Sequence, residues 1–403
     1  MTHTLAPLAL VVSLGLAATS AVRFDGTEPD DVRKYKVETL PSLGGTSSRG
    51  NGINNWGLVA GFSNLTDNKA RRATIWLDGR AHPLDTLGGT NSSVAWSGQS
   101  NRPLVVGIAQ TPDPQTRKDG WSCRNFFPAP DNMKYLCLGF VWEWGQMTRL
   151  PTLGGDNGFA ASANNRRQVV GWAENTVLDS TCAGVPQPQF RAVLWDLNTD
   201  QTHELLPFDV DSTSAATAIN NRGQVVGISG DCDQSVGRHS ARHAVMWEEG
   251  DVKDLGNVGG NTWNTPTAIN QRGDIVVGFA SSPGDDPDAP KLRAFAWTTR
   301  KNFCTKLPGT DICDLGTLDP NGTAQAWGLN ERGQIVGTSC PPSGGCKAFL
   351  WEKGVMYDLN EGRGNFPHRL ENAMDINNRG QITGRAVTAG GEGLGIVATP
   401  RGR

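Results

Sequence analysis

INNRGQVVG, Ile219–Gly227, decides how this chain is read, because it returns in degenerate form along the whole length. It stands as INNWGLVAG at Ile53–Gly61, QSNRPLVVG at Gln99–Gly107 and ANNRRQVVG at Ala163–Gly171. It continues as INQRGDIVVG at Ile269–Gly278, LNERGQIVG at Leu329–Gly337 and INNRGQITG at Ile376–Gly384. The closing glycines are 46, 64, 56, 51, 59 and 47 residues apart. A period of that size is the signature of a β-propeller or a related array.

Around the central copy the pattern is that of four short strands. Ser214–Ile219 alternates small and apolar residues, Asn220–Gly223 forms a tight turn that tolerates positive φ, and Gln224–Ser229 returns as a hairpin. His243–Trp247 is a third strand, Glu248–Gly250 turns it, and Val252–Gly256 is a fourth. We name these A, B, C and D. The third strand recurs as RATIW (Arg72–Trp76), LGFVW (Leu138–Trp142), RAVLW (Arg191–Trp195), RAFAW (Arg293–Trp297) and KAFLW (Lys347–Trp351). Its tryptophans are expected to fill the wedges between sheets, where a large flat ring buries much apolar area.

Residues 34–45 read as a D strand with its exit turn, and no A, B or C precedes them. The last unit ends after C. The fold expected is therefore all-β: a seven-bladed β-propeller, four antiparallel strands per blade, closed when the N-terminal strand 34–45 pairs into the last blade. Closure of that kind removes an exposed sheet edge.

Composition agrees with many short strands, with 50 Gly, 23 Pro and only 19% charged residues. The net charge of -3, with no basic run, gives no support to a nucleic-acid partner. Residues 1–21 are expected to be a signal peptide and 22–33 a linker, so that 34–403 form the propeller; the mature chain is expected to have no membrane span and to be extracellular. Eight cysteines (Cys123, Cys137, Cys182, Cys232, Cys304, Cys313, Cys340 and Cys346) lack paired zinc-hook spacing and fit disulfides. Strand placement suggests 123 with 137, 182 with 232, 304 with 313 and 340 with 346, although spacing alone does not fix connectivity. No cofactor and no metal site are expected.

With HAV, RAF and KAF before the tryptophans, and LGG ahead of INNxGQVVG, the chain resembles the HAF-repeat extracellular proteins over Lys34–Ala398. The resemblance implies a secreted, propeller-like protein and carries over no catalytic residue. Only His243 supplies the motif histidine.

In four-stranded blades the B–C and D–A connections share one face, and here the B–C loops vary most in length. Variable loops on a rigid scaffold build recognition surfaces, so a ligand is expected there. Candidate ligand residues are Trp121 and Trp263, aromatic faces outside the C-strand series, with Asp156, Asn157 and Asp211 at D–A corners. Asp375 joins them as the one acid at an inner strand-A position otherwise held by small residues. The corner residues would equally serve turn chemistry. The leading expectation is a binding protein for a glycan or another extracellular ligand. A polysaccharide hydrolase or lyase using Asp375, Asp211 and Asp231, or a structural coat protein, are the alternatives. No local catalytic motif is present.

Overall fold

Each repeat is organised from its turn outward. In the computed structural model, which describes residues 34–97, 100–102, 104–115, 121–129, 134–182, 186–232, 241–260, 262–284 and 290–401, Asn220 shows how. Its Oδ1 accepts the backbone N–H groups of Arg222 and Gln224 (3.0 and 3.1 Å), while its Nδ2 donates to Gln224 Oε1 and to the carbonyl of Asn270 in the next repeat. The first Asn of the motif therefore caps its own turn and ties it to a neighbour. Gly223 supplies the positive φ (90°) that the turn requires.

The closing glycines have a steric duty. A Cβ on Gly227 would lie 2.1 Å from the carbonyl oxygen of Ala215, and one on Gly171 1.9 Å from that of Phe159. Both oppose a register shift in strand A, between Ala216 and Ala218 and between Ala160 and Ser162. The bulge presses the strand A backbone against strand B, which leaves no room for a side chain there.

The C-strand tryptophans Trp76, Trp195, Trp247, Trp297 and Trp351 are buried. Trp195 packs among Val106, Val141 and Leu150 of the preceding repeat, and its indole N–H donates to the carbonyl of Pro151 at 2.9 Å. Trp76 makes the same bond to Pro41 at 2.8 Å. Trp76, Trp195 and Trp247, which donates to the carbonyl of Leu206, thus each join one repeat to the exit of the segment before it.

The sheet count corrects the sequence expectation. The described strands form six sheets rather than seven blades: five of four strands and one of eight, and none closes on itself. Strand A of the first repeat (Gly44–Ile53) meets the last strand (Gly393–Pro400) through a parallel bridge, Ser47 to Gly393, which merges the first and last repeats into one mixed sheet. A Cβ on Gly395 would approach Arg49 Cα to 3.5 Å, so the two backbones come close beside that bridge. The same eight-stranded sheet holds Tyr35–Thr39 antiparallel to the last strand, with Val37 opposite Ala398. Strand pairing there stops at Thr39, and Gly44 already belongs to strand A. The fold is all-β and propeller-like.

Residues 1–33, including the expected signal peptide and linker, lie outside the described residues. No helix among the described residues is long and apolar enough to cross a membrane.

Candidate functional site at the loop-side mouth

The two ends of the repeat array differ in chemistry. On the A–B side the turns are stitched together. The backbone N–H of Asn55 donates to the side-chain oxygen of Asn101, and the pattern continues through Asn165, Asn221, Gln271, Glu331 and Asn378 back to Asn55, at 2.7–3.0 Å. These side chains rim a polar recess of about 160 Å³ with Asp375 in its wall. Asp375 accepts the N–H groups of Ile53 and Ile376, both at 2.8 Å, so it bridges the first and last repeats. Burial pushes its carboxyl up to about 6, against those two hydrogen bonds. Strand A of the sixth repeat has only hydrogen facing it, since a Cβ on Gly328 would lie 2.6 Å from Asp375 Cα.

The D–A corners spend their polar groups internally. Asn157 is fully buried, donates to Glu174 and accepts the N–H of Cys137 at 3.2 Å. The Asp156 backbone N–H also donates to Glu174. Asp211 is buried and bonded to Ser229 Oγ (2.6 Å) and to the ring of His243 (2.9 Å). Asp231 pairs with Arg242. Asp156, Asn157 and Asp211 therefore pin strands and loops, and Asp211, Asp231 and Asp375 are held by three separate sets of partners. Trp263 is half-buried, edge-on to Phe279 at 5.6 Å. Trp121 begins a short helix, Trp121–Phe126, and its side chain lies outside the described residues.

Four disulfides are formed: Cys123–Cys137, Cys182–Cys232, Cys304–Cys313 and Cys340–Cys346. Three of them fasten B–C loops on one face; Cys182–Cys232 joins the loops of consecutive repeats. Asp179 lies near that pair, but the sulfurs are bonded to each other and offer no thiolate to a metal. Four disulfides are compatible with an extracellular or periplasmic protein.

Beneath these loops lies a layer of facing residues, one from strand A and one from strand B just after the closing glycine. The pairs are Arg49 with Phe62, Phe159 with Trp172, Ala215 with Ile228, Thr265 with Phe279, Gln325 with Thr338 and Asn372 with Arg385. Two parts of the layer stand out. One is aromatic: Phe126 from the B–C loop stacks on Phe159 (5.1 Å), Phe159 meets Trp172, and Trp96 meets Trp327 edge-on at 5.6 Å. Trp96, Phe126, Phe159 and Trp172 line a recess there, with Thr217 and Thr265 as its polar atoms.

The other part is cationic, and sequence reading passed over it. Arg49, Arg71 and Arg385 gather on the eight-stranded sheet. Arg71 lies over the Phe62 ring at 3.8 Å and donates to Asn64 Oδ1 (3.0 Å) and the Phe126 carbonyl (2.7 Å). Burial, then the neighbouring arginines, pushes Arg71 down to about 9; burial and Arg385 push Arg49 down to about 10, with Glu371 opposing. The visible signal was Arg385, a charge in the position after the closing glycine that the other repeats fill with Phe62, Ile108, Trp172, Ile228, Phe279 and Thr338.

This architecture defines a β-propeller type of protein. Among solved structures the chain is similar to a Mycobacterium tuberculosis puromycin-hydrolyzing peptidase (9% identity, TM-score 0.50), covering 92% of this chain and 55% of that one. It is similar to the Pyrococcus horikoshii acylaminoacyl peptidase (11%, TM-score 0.48; 89% and 52%). It is also similar to the β-propeller domain of the Trilobed protease from Pyrococcus furiosus, described as having an open velcro topology (10%, TM-score 0.48; 91% and 93%). The chain spans about half the length of the two peptidases. No family model and no curated protein matches the sequence. At these identities the likeness is one of fold.

Proposed function

We propose that this chain is a secreted, propeller-like binding protein that takes a saccharide at its loop-side mouth. The observation that carries the reading is the aromatic recess beneath disulfide-fastened B–C loops, where half-buried Trp96 and Phe126 edge the buried rings of Phe159 and Trp172. Aromatic rings present apolar faces to the C–H side of a sugar ring, and the Thr265 hydroxyl, which has no hydrogen-bond partner among the described residues, suits a sugar hydroxyl. Stapled loops lose little entropy on binding. On the opposite side the polar turns are bonded to one another, which favours a structural duty there. The HAF-repeat resemblance adds the extracellular setting.

A glycan array run beside a reducing-sugar assay tests this reading. Retention of a saccharide without release of reducing ends is the expected result. Release of reducing ends would make the protein an enzyme, and self-association with no glycan retained would make it a coat component; either outcome overturns the reading.

A further inference from the structure

The cationic part of the mouth gathers several guanidinium groups around one carboxylate, Glu371. Arg49 and Arg71 both lie over the Phe62 ring, at 5.4 and 3.8 Å, and Arg385 is near enough to weaken the hold of both on a proton. Arg369 adds a fourth guanidinium, and Glu371 is the carboxylate that answers them, 3.6 Å from Arg385 and 3.9 Å from Arg369. The Nε atoms of Arg49 and Arg385 are buried and make no hydrogen bond. Clustered guanidinium groups repel one another, and a bound anion would offset that like charge. Arginine's planar fork suits a planar, two-oxygen acceptor. Gly393 lets Arg385 lie flat against the backbone, since a Cβ there would come 2.2 Å from Arg385 Nε.

We propose that Arg49, Arg71 and Arg385 bind the carboxylate of an acidic sugar, a uronic acid unit, whose ring rests on the adjoining aromatic part of the layer. The link between the two parts is direct, because Arg71 holds the Phe126 carbonyl while Phe126 stacks on Phe159. The inference rests on the saccharide reading and names the class of sugar.

Calorimetric titration of the full chain with tetragalacturonate and with its methyl ester, equal in ring chemistry but uncharged, tests it. The acid form is expected to bind at least tenfold tighter, with that advantage shrinking at high salt. R385Q and R49Q are each expected to abolish most of the advantage. Their thermal midpoints without ligand are expected to stay near that of the parent chain, since each leaves fewer like charges in the cluster. Equal binding of acid and ester overturns the anionic assignment while leaving the saccharide reading intact. Binding of neither overturns both. A marked loss of thermal stability in both variants would assign the arginines a structural role and overturn the site. Tight binding of a sulfated oligosaccharide but not the uronate would overturn the carboxylate assignment.

Discussion

Asn378 donates its backbone N–H to the side-chain oxygen of Asn55 at 2.9 Å, across 323 residues of sequence. That bond returns the turn-to-turn series to its start. Asn378→Ala removes this acceptor's counterpart for Glu331, whose N–H bonds Asn378 Oδ1 at 3.0 Å, and loosens the link between the sixth and last repeats. We expect a loss of about 1 kcal/mol, read from urea denaturation. The loss should exceed that of Asn198→Ala, on an exposed C–D turn.

Gly227→Ala should be far more damaging than an ordinary strand substitution. The new Cβ would collide with a carbonyl in the bulge of strand A rather than with a mobile side chain. A cost on the order of 3 kcal/mol is expected, measured by thermal unfolding. Gly250→Ala, with nothing near its Cβ, is strained only by its φ of 93°. It should cost about 1 kcal/mol.

The turn motif was legible in the sequence because each of its residues performs a repeated backbone task. Asn220 caps, Gly223 turns, and Gly227 yields to the bulge. The number of sheets was not legible, because the merger of first and last repeats rests on one bridge, Ser47 to Gly393, between strands more than three hundred residues apart. The corner residues Asp156, Asn157 and Asp211 resembled ligand groups, yet their partners, Glu174 and His243, become neighbours only in the fold. Arg385 stood out by register alone, whereas its closeness to Arg49 and Arg71 is a product of the eight-stranded sheet.

Asp375 gives the chain a pH dependence of definite sign. Its folded carboxyl is raised to about 6, so the stability contributed by its neutral form is complete below about pH 4 and is lost as pH rises through about 6. The span corresponds to at most ~3 kcal/mol, reduced by solvent screening at a half-buried group. Asp375→Asn replaces one of the two acceptor oxygens with an N–H donor that faces a backbone N–H. It should be less stable than the parent at pH 4, with the deficit narrowing as pH rises through about 6. Paired denaturation curves from pH 3.5 to 8 check this.

Cys182–Cys232 closes a separation of 50 residues, and Cys340–Cys346 one of 6. Chain entropy assigns about 4 kcal/mol to the first and about 2 kcal/mol to the second. The double serine variant of Cys182 and Cys232 should therefore lower the thermal midpoint more than the variant of Cys340 and Cys346. It should also weaken any ligand taken at the loop-side mouth.

Which face receives the ligand is the most direct test. Phe126 is half-buried in the aromatic recess, whereas Trp56 stands 77% exposed beside the stitched turns of the other side. Titration of Phe126→Ala and Trp56→Ala with a saccharide retained by the parent chain decides between them. The account predicts at least a tenfold loss for Phe126→Ala and none for Trp56→Ala. The reverse pattern would contradict it.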